Sequence, residues 1–190
     1  MTADEIEKLC RCALQKTLGL SGQGLGNGKW TKKLLGHLTC LGSTAELYPC
    51  ARGQSVNGAK HGEWLYDLCW LDYGTGQNPE ARDGGENSLK SMLLAVESEW
   101  HTGWTNLMDD FEKLMCASVP LRFFVCQTWG KVTPDEIFTG LHTAVSNCRN
   151  ARDGDRYLLA VYTEEPHVQF AVRSFERGGP LSHADSLRPG

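Results

Sequence analysis

Three acidic residues occur where apolar residues are expected. Asp67 lies within the apolar run LYDLCW, and Glu97 and Glu99 directly follow the apolar run MLLAV. An ionised carboxylate buried without a partner costs far more free energy than one apolar contact returns. Residues two apart in a strand share a face of the sheet and lie about 6.6 Å apart, so Glu97 and Glu99 point the same way. We therefore expect the three carboxylates to meet at the ends of neighbouring strands.

Carboxylates that meet in this way need a cation between them, because their mutual repulsion otherwise raises their pKa values. Ligands that are all oxygen favour a hard ion, so we expect Mg²⁺ or Mn²⁺ at Asp67, Glu97 and Glu99. Lys113 lies on the helix predicted after Glu99 and could bring an ammonium group to the same place. Its other interpretation is a surface pair with Asp109, because residues four apart on a helix are neighbours.

The hydrophobic periodicity predicts helices and strands that could position these side chains. Amphipathic spacing predicts helices over 3–18, 29–41 and 105–117, and Thr133 begins a fourth helix as part of a capping box. Runs rich in aromatic and branched residues predict the strands ELYPCAR, EWLYDLCWLDY, SMLLAVESEW, LRFFVCQ, RYLLAVYT and HVQFAVRSF. Three strands followed by helix, strand and helix indicate an α/β protein whose mixed sheet is covered by helices on both sides.

Length and composition restrict the class of protein. The chain has 190 residues, of which 41% are hydrophobic and 22% charged, so we expect one domain over residues 1–177 and a flexible tail over 178–190. The net charge of −4 argues against simple coating of phosphates as the sole function, although a local basic groove remains open. Lys29, Lys32 and Lys33 form a small basic cluster on the second helix, of the kind that usually faces solvent.

The remaining compositional signals indicate a reduced, unexported protein. The apolar stretches are interrupted well before about 18 residues, and the acidic start MTADEIEKLC is unlike a signal peptide. We therefore expect a cytoplasmic protein with no membrane association. The eight cysteines form no CxxC pair, and most, including Cys69 and Cys126, are expected to be buried thiols.

The order of these features resembles the PD-(D/E)xK nuclease superfamily. Asp67 at a strand, a long loop, an apolar strand ending in Glu97-Ser98-Glu99, the helix sequence DFEKLM and the apolar strand LRFFVCQ carry the resemblance over roughly residues 1–163. It implies a restriction-endonuclease-like three-layer fold in which the acids at Asp67 and Glu97 hold the metal. It also implies a nucleic-acid substrate, here DNA, and leaves open a homodimer that cuts both strands.

The chain departs from the family pattern at one important position. Glu99 stands where the lysine of (D/E)xK is expected, which leaves three interpretations. The chain has the ExE form, or the lysine has moved to the helix as Lys113, or the protein is an inactive descendant that binds nucleic acid or a protein partner.

An active site of this kind would hydrolyse phosphodiester bonds. A divalent ion held by the three acids would neutralise the phosphate, lower the pKa of a bound water and stabilise the leaving oxygen, while Lys113 would orient the water or take up developing charge. Glu63 shares a strand face with Asp67 and could bind the ion through water, or only begin the strand on the solvent side. Glu5 is a further candidate, because the family often supplies an acid from its first helix.

Overall fold

The computed structural model describes residues 1–19, 27–54, 64–74, 88–164 and 167–189. These residues form four helices and seven strands. The helices are α1 (Ala3–Leu18), α2 (Asn27–Thr44), α3 (Trp104–Met115) and α4 (Pro134–Asn147). The strands are β1 (Tyr48–Ala51), β2 (Leu68–Asp72), β3 (Ser91–Glu99), β4 (Leu121–Gln127), β5 (Arg156–Thr163), β6 (Gln169–Glu176) and β7 (Asp185–Leu187).

The seven strands lie side by side in chain order in a single mixed sheet. β3, β4 and β5 are parallel, and the other neighbouring strands are antiparallel. Parallel neighbours need a crossover connection, which α3 provides between β3 and β4 and α4 provides between β4 and β5. The predicted α/β architecture with a mixed sheet is therefore confirmed.

The sheet separates two hydrophobic cores. Alternate residues of β3 point to opposite faces, so Leu94 and Val96 pack with α1 and α2, whereas Ala95 packs with α3 and α4. Cys69 and Cys126 belong to the second core and are buried, as their apolar surroundings predict. The helices therefore cover the sheet on both faces.

Helix starts follow the predicted chemistry. Thr133 accepts a hydrogen bond from the backbone of Glu136, whose side chain accepts from the backbone of Thr133, so the predicted capping box is present. Thr2 and Glu5 form the same arrangement at the start of α1.

None of the helices in the described ranges combines the length and apolarity that crossing a bilayer requires.

The structure differs from the sequence prediction at two places. β2 begins at Leu68, so Asp67 directly precedes the strand instead of lying in its middle. The segment 178–190, predicted as a tail, contains β7, which pairs with β6. Asp185 of β7 also lies 3.1 Å from the guanidinium of Arg11 on α1, so this segment is attached to the sheet and to a helix.

Candidate active site

Arg52, Asp67 and Glu97 lie side by side at one end of the first three strands. The register pairs Ala51 with Leu68 and Leu68 with Val96, and one further residue along each strand brings the three charged residues into a row. The backbone N–H of Arg52 donates to the carbonyl of Asp67 at 3.0 Å, which extends the β1–β2 pairing to this level. Asp67 is 7% exposed and Glu97 is 3% exposed, so both carboxylates are removed from bulk water.

Asp67 is oriented by the neighbouring strand. Its Oδ2 accepts hydrogen bonds from the backbone N–H of Ser98 at 2.9 Å and from the Ser98 hydroxyl at 2.7 Å. Its Oδ1 lies 3.9 Å from the guanidinium of Arg52. One oxygen is therefore fixed by two donors, and the other faces a cation across a longer distance.

Lys113 approaches the row from α3, which packs against β3. Its Nζ lies 3.9 Å from Oε1 of Glu97 and 2.5 Å from Oδ1 of Asp110. The hydrogen bond to Asp110 and the nearby carboxylates of Glu97 and Asp67 raise the pKa of Lys113 above its ordinary value of 10.5, although burial acts in the opposite direction. The ammonium group therefore stays charged at neutral pH, and its helix partner is Asp110 instead of the Asp109 considered from the sequence.

Glu99 forms its hydrogen bonds with the turn that follows β3. Its Oε1 accepts from the backbone N–H of His101 at 2.5 Å and lies 2.8 Å from the Nδ1 of the same residue. The His101 side chain is 84% exposed, so this interaction lies at the rim of the site.

All four predicted catalytic side chains line one open cavity of about 640 Å³ between α2 and α3. Its lining includes Asp67, Glu97, Glu99 and Lys113, together with Thr31, Lys32, Arg52, Ser98, Trp100 and Asp110. The wall at Trp100 is held in place because its indole N–H donates to the hydroxyl of Thr31 at 2.6 Å and its carbonyl accepts from the side-chain amide of Gln127. Asp67, Glu97, Glu99 and Lys113 therefore line the same cavity, and their role as a shared metal site stays a prediction.

The oxygen donors at this cavity suit a magnesium-type ion. Among the residues that the structure describes, no group of three or more His, Cys, Asp and Glu side chains is arranged to hold a metal ion. Mg²⁺ does not need such a cage, because it keeps several waters and is commonly held by one or two carboxylates together with substrate phosphates. Asp67 and Glu97 supply two neighbouring carboxylates on an open cavity, and Glu99 adds a third on the same wall. These side chains therefore supply oxygen donors of the type that Mg²⁺ or Mn²⁺ prefers, but the described acids do not converge as a three-carboxylate cage would.

The two candidate supporting acids are placed differently. Glu5 is exposed at the start of α1, where its side chain accepts a hydrogen bond from the backbone N–H of Thr2 at 2.7 Å. This contact lowers the pKa of Glu5 and gives the residue a helix-capping role. Glu63 lies outside the described residues.

Three contributors to the site were not found from the sequence. Arg52 and Ser98 act on Asp67 through strand pairing, and Asp110 acts on Lys113 through the helix. The acidic pair in DDFEKLM was a usable signal for Asp110, since residues three apart on a helix are neighbours.

Comparison of the chain with protein-family models, with curated proteins and with solved structures gave no match. The function proposed for the protein therefore depends on the side chains of the site and on the chemistry that they permit.

Proposed function

We propose that the protein is a metal-dependent nuclease of the restriction-endonuclease-like fold that hydrolyses phosphodiester bonds in DNA. The observation that carries this proposal is the meeting of Asp67, Glu97 and Lys113 at one cavity, from β2, β3 and α3. Two buried carboxylates could hold a divalent ion, and that ion together with the ammonium of Lys113 would suit a substrate that is itself an anion and reacts with water. The sequence resemblance supports the same conclusion.

Asp67, Glu97 and Glu99 are the residues that would hold Mg²⁺ or Mn²⁺. When bound, a divalent ion supplies neutralisation of phosphate charge and a lower pKa for an attacking water. The protein's own contribution is orientation, because the two Ser98 donors fix the carboxylate of Asp67 before substrate arrives. Partners of this kind are worth about 10- to 100-fold in metal affinity or activity.

Lys113 contributes a fixed positive charge. Because its pKa is raised, it cannot serve as a general base near neutral pH. It instead donates hydrogen bonds to a phosphate oxygen or to the attacking water, next to Glu97. Removal of one such preorganised donor lowers a rate by about 100- to 1000-fold in enzymes that stabilise an oxyanion.

A catalytically inactive nuclease-fold module that binds nucleic acid or a protein partner is the second candidate. The observation that favours it is Glu99, which takes the place of the pattern's lysine and forms hydrogen bonds with His101. Such a module would bind its partner with no dependence on the carboxylate of Glu97.

Cleavage of a nucleic-acid panel distinguishes the two candidates. Duplex DNA, single-stranded DNA and RNA are incubated with Mg²⁺ or Mn²⁺ and with wild type, Glu97→Gln or Glu112→Gln protein. Glu112 is an exposed acid on α3, so its variant is the matched control. We expect wild type and Glu112→Gln to cut DNA and Glu97→Gln to be at least about 100-fold slower, since a metal ligand is lost. Equal degradation by all three proteins, or no cutting by wild type, contradicts the proposal.

A further inference from the structure

Three lysines form a continuous basic ridge on α2. Lys29, Lys32 and Lys33 are exposed. Lys32 and Lys33 follow Lys29 by three and four residues, which places all three on one side of the helix. No aspartate or glutamate occurs in α2, from Asn27 to Thr44. We call these three residues the basic ridge.

The basic ridge adjoins the cavity that holds the acids. Lys32 lines the active-site cavity and also a second hollow of about 400 Å³, whose other lining residues are Lys29, Lys33, Gly36, His37 and Gln54. The side-chain amide of Gln54 donates to the carbonyl of Lys32 at 2.9 Å and so joins the chain after β1 to α2. The two depressions are therefore neighbours that share Lys32, and the basic ridge lies beside the cavity that the carboxylates line.

The described residues supply no carboxylate partner to the lysines of the basic ridge. Across the described ranges, none of its three ammonium groups has a carboxylate within ion-pair distance. Burial, together with the charges of Lys16 and Lys33, lowers the pKa of the neighbouring His37, as expected beside uncompensated cations. In a chain with a net charge of −4, this concentration of positive charge lies next to the site that handles the substrate.

Another cavity of the described chain differs in its position. It measures about 850 Å³ and lies at the opposite end of β3, near Lys90. Its buried cation, Arg122, already donates to the carbonyls of Leu114 and Val119 and pairs with Asp155 at 2.9 Å. That cavity also carries exposed Lys90, Arg149 and Arg152 at its rim, but it lies at the end of β3 away from Glu97. The basic ridge therefore differs from it by its position beside the carboxylates.

We propose that the basic ridge binds the phosphodiester backbone of the nucleic acid on its way into the active-site cavity; this inference rests on the proposed function. Lysines meet phosphates as mobile point charges, so the ridge holds and aligns the strand without reading its sequence. Its residues are positioning residues: Lys32 lines the active-site cavity at the side of α2, and Lys29 and Lys33 lie next to that cavity. The substrate class is a polynucleotide long enough to extend beyond the scissile bond.

The salt dependence of binding tests this role. Binding of mixed-sequence duplex and single-stranded DNA is measured in EDTA over about 50 to 200 mM salt, where phosphate contacts set the slope of log K against log salt. The wild type is compared with the triple variant Lys29→Gln, Lys32→Gln and Lys33→Gln. Because each phosphate contact contributes about 0.9 to the slope for duplex and about 0.7 for single strands, we expect reductions of about 2.7 and about 2.1.

A second triple variant controls for bulk charge. Lys90→Gln, Arg149→Gln and Arg152→Gln remove the same charge from the rim of the opposite cavity and should leave the slope unchanged. Melting curves of both variants confirm that each is folded. No DNA binding by wild type, an unchanged slope in the ridge variant, or an equal loss in the control overturns the inference. If DNA binding depends on the ridge but no DNA is cleaved, the proposed hydrolase activity is wrong and the inference about the ridge holds. If DNA is cleaved but the salt slope of the ridge variant equals that of the wild type, the hydrolase activity holds and the inference about the ridge is wrong.

Discussion

Lys113 lies close to two carboxylates, so its substitution should change cleavage and metal binding in different ways. It lies 3.9 Å from Glu97 and 2.5 Å from Asp110, so it is both a cation for the substrate and a competitor for the acids that would bind the ion. We predict that Lys113→Gln slows cleavage by about 100-fold, because a preorganised donor is lost. The same variant should bind Mn²⁺ as tightly as wild type or more tightly, because a like charge is removed.

Cleavage kinetics and calorimetric Mn²⁺ titration check this prediction. Lys131→Gln, an exposed lysine after β4, is the matched control and should change neither quantity. Equal losses of cleavage and of metal affinity in Lys113→Gln would show that the residue only maintains the fold of the site.

The pH dependence of Lys113 follows from the direction of its pKa shift. Since its folded-state pKa lies above the ordinary 10.5, its ammonium stabilises the folded state fully below that value and ceases to do so as the pH rises through the folded pKa. We therefore predict that Lys113 contributes no change in the free energy of unfolding of the metal-free protein between about pH 7 and 9, so wild type and Lys113→Gln should show the same pH dependence over this range in denaturant unfolding with EDTA. A pH dependence that differs between the two proteins there would contradict this prediction.

The local sequence pattern predicts the main charged groups of the site but not their supporting contacts. Asp67, Glu97 and Glu99 stand out because acids interrupt or end apolar strands, and that pattern is visible in a few residues. Arg52 and Ser98 act through the pairing of β1, β2 and β3, which lie far apart in the sequence. The period of a strand determines its faces but not its register against a distant strand, so these contacts required the structure.

At the scale of elements, Arg122 joins α3 to β4. It is 2% exposed in an apolar strand, and its guanidinium donates to the carbonyl of Leu114 in the last turn of α3 and to the carbonyls of Ala117 and Val119 in the connection that follows. We predict that Arg122→Met lowers the free energy of unfolding by about 3 kcal/mol, because these carbonyls and the carboxylate of Asp155 lose their partner.

Denaturant unfolding measures this change. Arg149→Met, an exposed residue near the same cavity, is the control and should stay within about 0.5 kcal/mol of wild type. A loss below about 1 kcal/mol for Arg122→Met would mean that water replaces the guanidinium without cost.

Long periodic elements were predictable, whereas the short edge strand was not. LRFFVCQ is observed as β4 with the predicted bounds, and the capping box at Thr133 is observed at the start of α4. β7 has three residues, two of them exposed, and so lacks an apolar alternation that a sequence pattern could detect. Its position depends on the edge of β6 and on the Arg11–Asp185 contact, both of which are tertiary.

At the scale of the whole molecule, opposite charges are separated in a way that the net charge conceals. A chain with net charge −4 places buried acids in one cavity and an acid-free lysine ridge in the depression next to it. Under the proposed function, the ridge would attract the anionic polymer and the carboxylates would hold the divalent ion. The sequence showed the lysine cluster, but its position beside Asp67 and Glu97 depends on the packing of α2 on the sheet.

The most direct test of the central claim is thermal unfolding with Mg²⁺ or Mn²⁺, using wild type, Asp67→Asn and Asp109→Asn. Asp109 is an exposed aspartate on α3 and serves as the matched control. An ion that binds only the folded state adds about 2.7 kcal/mol of stability at about 100 times its Kd. We predict this stabilisation in wild type and Asp109→Asn and its loss in Asp67→Asn. Indifference of the wild type to both ions, or equal stabilisation of all three proteins, would contradict a metal site at Asp67 and Glu97.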